Sequence, residues 1–146
     1  MASPVQVQII LCDAAVADPS GKVHMLGAGW SVTGTPTGQQ AVAVLMKIPW
    51  DRANQKIPMT LQLFDSDGHP VRVETPDGSQ EIKMVGEVEV GRPPGVAHGS
   101  MLDASLALNV PPLPLPPGRY QWRLDISDQV ETVSFQVRAP VRHPGS

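Results

Sequence analysis

The chain has 146 residues, of which 41% are hydrophobic, and a formal net charge of −3. This length fits one domain, in which folding can bury about 68–70% of the surface that the unfolded chain exposes. The weakly acidic balance argues against a nucleic-acid-binding protein, which would need a basic footprint. Sixteen prolines and thirteen glycines require many turns, and this favours short strands over helices.

The N-terminus and the cysteine content bear on the cellular compartment. Cys12 is the only cysteine, so no internal disulfide can form, which is typical of a reducing cytoplasm. The first residues lack a basic region, and Gln6 and Gln8 interrupt the apolar run that follows, so we expect no signal peptide. No apolar stretch approaches the roughly 20 residues that a transmembrane helix needs. We therefore expect a cytoplasmic, bacterial protein that binds neither membrane nor nucleic acid.

Apolar and polar residues alternate along the first part of the chain, as in half-buried strands. The predicted strands are VQVQIILC (5–12), KVHMLG (22–27), GWSVTGT (29–35) and AVAVLMKI (41–48). The stretch DPSG (18–21) supplies a turn. The last of these strands is apolar on nearly both faces, which predicts a central strand with covered neighbours.

The middle of the chain begins with an interruption of this period. Asp51 is placed to cap a single helical turn near 51–54. MTLQLFDSDGHPVRVE (59–74) then predicts a hairpin around an Asp-Gly turn. Alternation resumes in two further predicted strands on either side of a long loop, EIKMVGEVEV (81–90) and LDASLALNV (102–110).

A proline-rich run precedes the last two predicted strands. Prolines cannot donate to a strand ladder, so PPLPLPP (111–117) must cross between sheets. Tyr120 follows at the position of the tyrosine corner of immunoglobulin-like sandwiches, and we expect its hydroxyl to bond to upstream backbone. The alternation turns these residues inward: Tyr120, Trp122, Leu124, Ile126, Val133, Phe135 and Val137. It turns Gln121, Arg123 and Asp125 toward solvent.

These patterns together predict an all-β protein. We expect an antiparallel, immunoglobulin-like β-sandwich of about eight or nine strands. A single domain would span residues 1–138, and residues 139–146 would be a frayed tail.

Four stretches resemble a known family. They are LCDAAVADPSGKVHMLGAGW, PWDRAN, VEVGRPPG and PLPLPPGRYQWRLDI. In these loop motifs the chain is similar to a family of small uncharacterised actinobacterial β-sandwich proteins, over about residues 8 to 138. The resemblance implies a sandwich fold and a bacterial cytoplasmic origin, and it implies no activity.

Two motifs with glycine have a structural interpretation. DSDG (65–68) matches the start of a calcium loop, but Pro76 stands where the loop needs a glutamate, so we interpret it as a hairpin turn. GAGWSVTG (27–34) lacks the third glycine and the following helix of a dinucleotide-binding fingerprint. We therefore expect no cofactor, and we expect no metal at either motif.

Histidine and cysteine offer weak candidates for chemistry. His24, His69, His98 and His143 show no metal-ligand spacing, and we interpret them as solvated side chains. Cys12 lies beside Asp13 at a strand end, where no nearby cation would activate a thiol, so we interpret it as a buried structural residue.

Trp50, Trp30 and Arg92 are the candidate contacts to a partner or ligand. Trp50 ends a strand, and an exposed indole can stack on a sugar or anchor a protein. The alternative is that both tryptophans plug the ends of the core. Arg92 opens the turn RPPG (92–95), which presents a polyproline segment or serves as a rigid loop.

Three functions remain open. The first is a non-catalytic module that binds a protein partner or its own copy, because the sandwich pattern contains no coherent catalytic set. The second is a small-ligand or carbohydrate-binding domain that uses Trp50 and Trp30. The third, ranked last, is a metal-dependent enzyme that uses His69, His98 and an aspartate.

Overall fold

A computed structural model of the protein describes residues 4–140. This part of the chain is all-β, with twelve strands and one short 3-10 turn at Trp50–Arg52. The strands are β1 (Gln6–Cys12), β2 (Ala14–Ala17), β3 (Val23–Leu26), β4 (Val32–Thr33), β5 (Gln40–Ile48), β6 (Ile57–Asp65), β7 (Arg72–Thr75), β8 (Gly78–Glu81), β9 (Lys83–Val88), β10 (Leu102–Val110), β11 (Gly118–Ile126) and β12 (Gln129–Val137).

Two larger sheets form a sandwich. One has three strands in the order β1-β5-β10, and the other has five in the order β4-β12-β11-β6-β9. Side chains from both sheets meet in one hydrophobic core. Within residues 4–140 the structure has twelve strands where eight or nine were predicted: eight belong to these two sheets, and the other four form two ribbons, β2-β3 and β7-β8. Strand pairs among the described residues are antiparallel except for β4 and β12, which are parallel.

The strand alternation places the core as predicted. In β5, Val42 and Val44 are fully buried toward the main core, while Ala41 and Ala43 are fully buried on the opposite face. The ribbon β2-β3 covers that opposite face, which explains why β5 is apolar on both sides. The prediction of a central strand is confirmed.

The proline-rich run is an inter-sheet crossover, as predicted. It connects β10 in one sheet with β11 in the other, and its Leu113 and Leu115 enter the core. The hydroxyl of Tyr120 donates a hydrogen bond to the carbonyl oxygen of Pro116, with 2.6 Å between the oxygens. The predicted backbone partner of Tyr120 is therefore present, four residues upstream.

The hairpin prediction for 59–74 is wrong in its second half. The chain turns after Asp65, but only Pro70 and Val71 return to pair with β6. The bonds of this bridge run from the Asp65 N–H to His69 and from the Val71 N–H to Leu63, and the pairing ends at Val71. The chain then leaves to form the ribbon β7-β8, and β9 becomes the neighbour of β6.

Two smaller predictions also need correction. The helical turn begins at Trp50 instead of Asp51, its N-cap is Pro49, and no side chain caps it. Within 29–35 only Val32–Thr33 forms a strand. The turn ends because Ala53 is extended, and the strand is short because its pairing with β12 is limited to Ser31–Thr33.

No helix in residues 4–140 is long and apolar enough to cross a bilayer. His143 and the tail after residue 140 lie outside the described residues.

Candidate functional site

The free edge of β10 is the first candidate. β10 ends the three-stranded sheet and pairs with β5 alone. On the other side of that sheet, the carbonyl oxygen of Leu11 accepts from the Gly29 N–H, so Leu11 turns its backbone away from β5. In an antiparallel ladder, pairs that exchange backbone hydrogen bonds alternate with pairs that do not. Leu11 and Val42 form a pair of the second kind, so the N–H and C=O of Val42 point the other way, toward Leu108 of β10.

The same alternation determines which backbone groups of β10 face outward. The even-numbered residues bond to β5, and the odd-numbered residues Asp103, Ser105, Ala107 and Asn109 direct N–H and C=O to the free side. Among the hydrogen bonds formed within residues 4–140, none reaches these outward backbone groups. The edge therefore offers an unused row of donors and acceptors.

The composition of β10 leaves this edge unprotected. Proteins usually guard edge strands with charges, prolines, bulges or short length. β9 carries Lys83 and Glu87, and the edge strand β4 has only two residues. β10 has nine residues, and between Ala104 and Leu108 none is charged.

The core side of β10 is also incompletely covered. Ala104, Leu106 and Leu108 pack against the main core but are only partly buried. Met84 of β9, at the corresponding edge of the other sheet, is likewise only partly buried. Ala104, Leu106 and Leu108 thus form an apolar seam along the β10 edge.

A cleft of about 640 Å³ lies on the outer face of the three-stranded sheet, beside the tip of the ribbon β2-β3. Its polar lining includes Gln8, Lys47 and Asp103, and the last two form an ion pair. The Ser105 hydroxyl donates to the Gly21 carbonyl oxygen at the ribbon tip. The cleft therefore joins polar groups of three strands to a turn of the ribbon.

The ribbon tip is organised by one carboxylate. Asp18 accepts hydrogen bonds from the backbone N–H and the hydroxyl of Ser20 and from the Lys22 N–H, and it contacts the His24 ring at 2.8 Å. The Ser20 hydroxyl foremost, then His24, hold the pKa of Asp18 well below its ordinary value. The predicted turn at 18–21 is confirmed, and His24 lies in β3 as an exposed side chain.

The ribbon is fastened to β10 by a side-chain amide. Asn109 donates from Nδ2 to the Ala15 carbonyl oxygen at 2.8 Å and accepts from the Ala15 N–H at 3.3 Å. The ribbon thereby covers a small-residue cluster that includes Cys12, Ala41 and Ala43. Nothing in the strand pattern identified Asn109 as more than a solvent-facing residue.

Cys12 is fully buried in this cluster, and its thiol lies 3.6 Å from the Ala41 carbonyl oxygen. Burial, and secondarily the charge of Asp13, raise the pKa of the Cys12 thiol. A protonated thiol is a poor nucleophile, so the interpretation of Cys12 as a structural residue is confirmed in its burial.

Trp50 and Arg92 contact each other. The Arg92 guanidinium lies 4.7 Å from the Trp50 ring centroid and donates to the Trp50 carbonyl oxygen at 2.8 Å. His98 meets the same indole edge-on, with 5.2 Å between ring centroids. One face and one edge of Trp50 are thus occupied by the loop 91–100, and its Nε1 is buried without a hydrogen-bond partner.

Trp30 lies elsewhere and is also partly buried. Its ring meets Phe135 in a T-shaped contact with 5.7 Å between centroids, and its Nε1 is buried without a partner. Both tryptophans pack against the main core, as the plug interpretation expects.

Among the described residues, the histidine candidates do not meet in one metal-type cluster. Asp65, Asp67 and His69 present ligand-type atoms within 4.8 Å of one another, and His98 instead contacts Trp50. Asp65 already accepts from the backbone N–H groups of Asp67 and His69, each at 2.9 Å. These bonds are those of a tight turn after β6, as the sequence predicts for DSDG. Gly27 and Gly29, both with positive φ, lie in the loop between β3 and β4.

The fold and these surfaces define an all-β sandwich with an unprotected sheet edge. Within that class, the chain belongs to the family of unknown function DUF6941, whose model matches residues 8–138. A search of curated proteins finds no match.

Proposed function

We propose that the protein is a non-catalytic interaction module that binds a protein partner by adding a strand to β10. The single observation that carries the proposal is the unused row of outward backbone groups on β10, at Asp103, Ser105, Ala107 and Asn109. An extended segment that pairs with a sheet edge gains affinity from main-chain hydrogen bonds and specificity from alternate side chains. Leu106 and Leu108 of β10 are only partly buried, so they offer apolar contacts to the side chains of such a segment.

A capture experiment tests the proposal with a single-residue variant. Ala107→Pro removes one outward N–H, and edge positions tolerate proline because that N–H is not needed by the sheet. Wild-type protein and Ala107→Pro would be immobilised and exposed to a lysate of the source organism, after circular dichroism has shown that both fold. We expect a partner that the wild type retains and the variant loses. Equal recovery with both baits, or none with either, would contradict the proposal.

The second candidate, a small-ligand or carbohydrate-binding domain, is supported by the cleft of about 640 Å³ beside the ribbon tip. Binding through Trp50 would require Arg92 to leave the indole face, from which it lies 4.7 Å away. Calorimetric titration of the wild type and of Lys47→Ala with a sugar panel, with tryptophan fluorescence followed in parallel, distinguishes the two locations. A Trp50 site predicts a fluorescence change that Lys47→Ala leaves intact, whereas a cleft site predicts weaker binding by the variant.

We also propose an immunoglobulin-like arrangement and an actinobacterial, cytoplasmic origin. The tyrosine corner formed by Tyr120 and Pro116 supports the first, because immunoglobulin-like sandwiches use the same bond. A lone, buried Cys12 supports a reducing compartment. The strand connectivity of an experimentally determined relative tests the immunoglobulin-like arrangement, and fractionation of the source cells tests the cytoplasmic location.

A further inference from the structure

We infer that the partner at the β10 edge is a second copy of this chain. Two β10 strands would pair antiparallel about a two-fold axis at Leu106 and join two three-stranded sheets into one of six strands. This inference rests on the proposed function, because it names the occupant of the same edge.

The register follows from the strand itself. β10 spans Leu102–Val110, so only pairing centred on Leu106 overlaps all nine residues. In that register Ser105 faces Ala107 of the second copy, and Asp103 faces its Asn109. These are the residues whose N–H and C=O point outward, so about eight new backbone hydrogen bonds form, two per bonded pair.

The side chains are self-complementary in this register. Leu106 meets Leu106 of the second copy, and Ala104 meets its Leu108, so the apolar seam of one copy continues into the other. Asp103, the only charged residue of β10, meets an asparagine instead of a second aspartate. Like charges placed directly opposite each other would oppose pairing, and this register avoids them.

The topology stops the assembly at two copies. At the other end of the three-stranded sheet, β1 lies against β12 of the five-stranded sheet, and the Leu11 carbonyl oxygen already accepts from the Gly29 N–H, so this end offers a shorter row of backbone groups. A two-fold interface uses the β10 edges of both copies completely, so this contact closes at two copies.

Charge exchange at the axis tests this arrangement. Leu106→Lys and Leu106→Glu each place like charges opposite each other, and their mixture places opposite charges there. We expect wild-type protein to sediment as a dimer and each variant alone to have a dissociation constant at least tenfold higher. An equimolar mixture of the two variants should recover the dimer. Thr132→Lys, on an exposed position of β12, is the matched control and should remain dimeric.

Disulfide trapping tests the register separately. Opposed residues of a non-hydrogen-bonded antiparallel pair have Cα atoms about 4.5 Å apart, which a disulfide can span. Under mild oxidation Leu106→Cys should form a cross-linked dimer. Ala104→Cys and Leu108→Cys should each cross-link poorly alone and efficiently when mixed. The wild type, whose one cysteine is buried, is the control.

The outcomes separate the two proposals. A wild-type protein that stays monomeric at millimolar concentration overturns the second copy as occupant, and the capture experiment with Ala107→Pro then decides the interaction module by itself. A dimer that survives both charged variants, or one that Leu106→Cys fails to trap, overturns the β10 interface. Circular dichroism of each variant confirms that a lost dimer is not a lost fold.

Discussion

The indole Nε1 of Trp122 donates a hydrogen bond to Oε1 of Gln40, 3.1 Å away. Both side chains are almost fully buried, and they belong to different sheets, β11 and β5. Buried polar groups need partners because an unpaired one keeps its desolvation cost. This bond therefore ties the two sheets at a defined position inside the core.

Trp122→Ala should destabilise the protein severely. It removes a fully buried aromatic and leaves Gln40 without its partner, so we expect a loss of about 3–5 kcal/mol. Arg123→Ala is the control, because Arg123 is exposed and bonds only to nearby Asp125; it should change stability by at most about 0.5 kcal/mol. Urea unfolding measures both. A larger effect for Arg123→Ala would mean that the register of β11 is inverted.

Tyr120→Phe should cost about 0.5–1.5 kcal/mol, because it deletes the bond to Pro116 and keeps the ring stacked on Phe135. Burial raises the pKa of the Tyr120 hydroxyl, and the nearby charge of Asp65 contributes. The folded state therefore favours the protonated form. Stability should be lost as pH rises above about 10, where the unfolded tyrosine ionises. Unfolding of wild type and variant between pH 8 and 11 should show a weaker alkaline loss in the variant.

Asn109→Ala should release the ribbon β2-β3 from β10. The two backbone groups of Ala15 lose their partner, and an unpaired buried group costs roughly 1–3 kcal/mol. We expect faster hydrogen exchange at the Ala15 amide and a lower free energy of unfolding. Asp103→Asn, at the other, exposed end of β10, should leave the Ala15 amide protected. Unchanged exchange in Asn109→Ala would show that the apolar contacts alone hold the ribbon.

Cys12 should resist thiol reagents in the folded protein. Its side chain is fully buried and its pKa is raised, so the thiolate is scarce at neutral pH. Labelling with a maleimide should be at least tenfold slower in buffer than in denaturant. Because the folded state holds the thiol protonated, stability should fall as pH rises above about 8.5, the ordinary thiol value. Rapid labelling of the native state would contradict the burial.

The turn at Asp18 should loosen in acid. The pKa of its carboxyl is lowered in the folded state, so the stability that its hydrogen bonds contribute is complete above the ordinary value of about 4 and is lost progressively as pH falls from there toward the lowered folded value. The amides of Ser20 and Lys22, which donate to Asp18, should lose exchange protection in that range. Asp18→Asn carries no titrating group and should show the same protection at pH 3 and pH 6.

The sequence by itself determined the longer strands and which face of each of them is buried. A strand presents alternate side chains to opposite faces, so the spacing of Tyr120, Trp122 and Leu124 already distinguishes core from solvent. Proline has no N–H to donate to a strand ladder, so the proline-rich run at 111–117 could be predicted to cross between sheets.

Only the tertiary structure decided which strands are neighbours. A period of two is the same whichever strand lies alongside, so it could not show that β9 displaces the second arm of the hairpin 59–74. For the same reason it could not place β10 at a free edge or pair Gln40 with Trp122. The uncharged stretch at 104–108 was a signal of that edge, but an uncharged strand suits a sheet centre equally well.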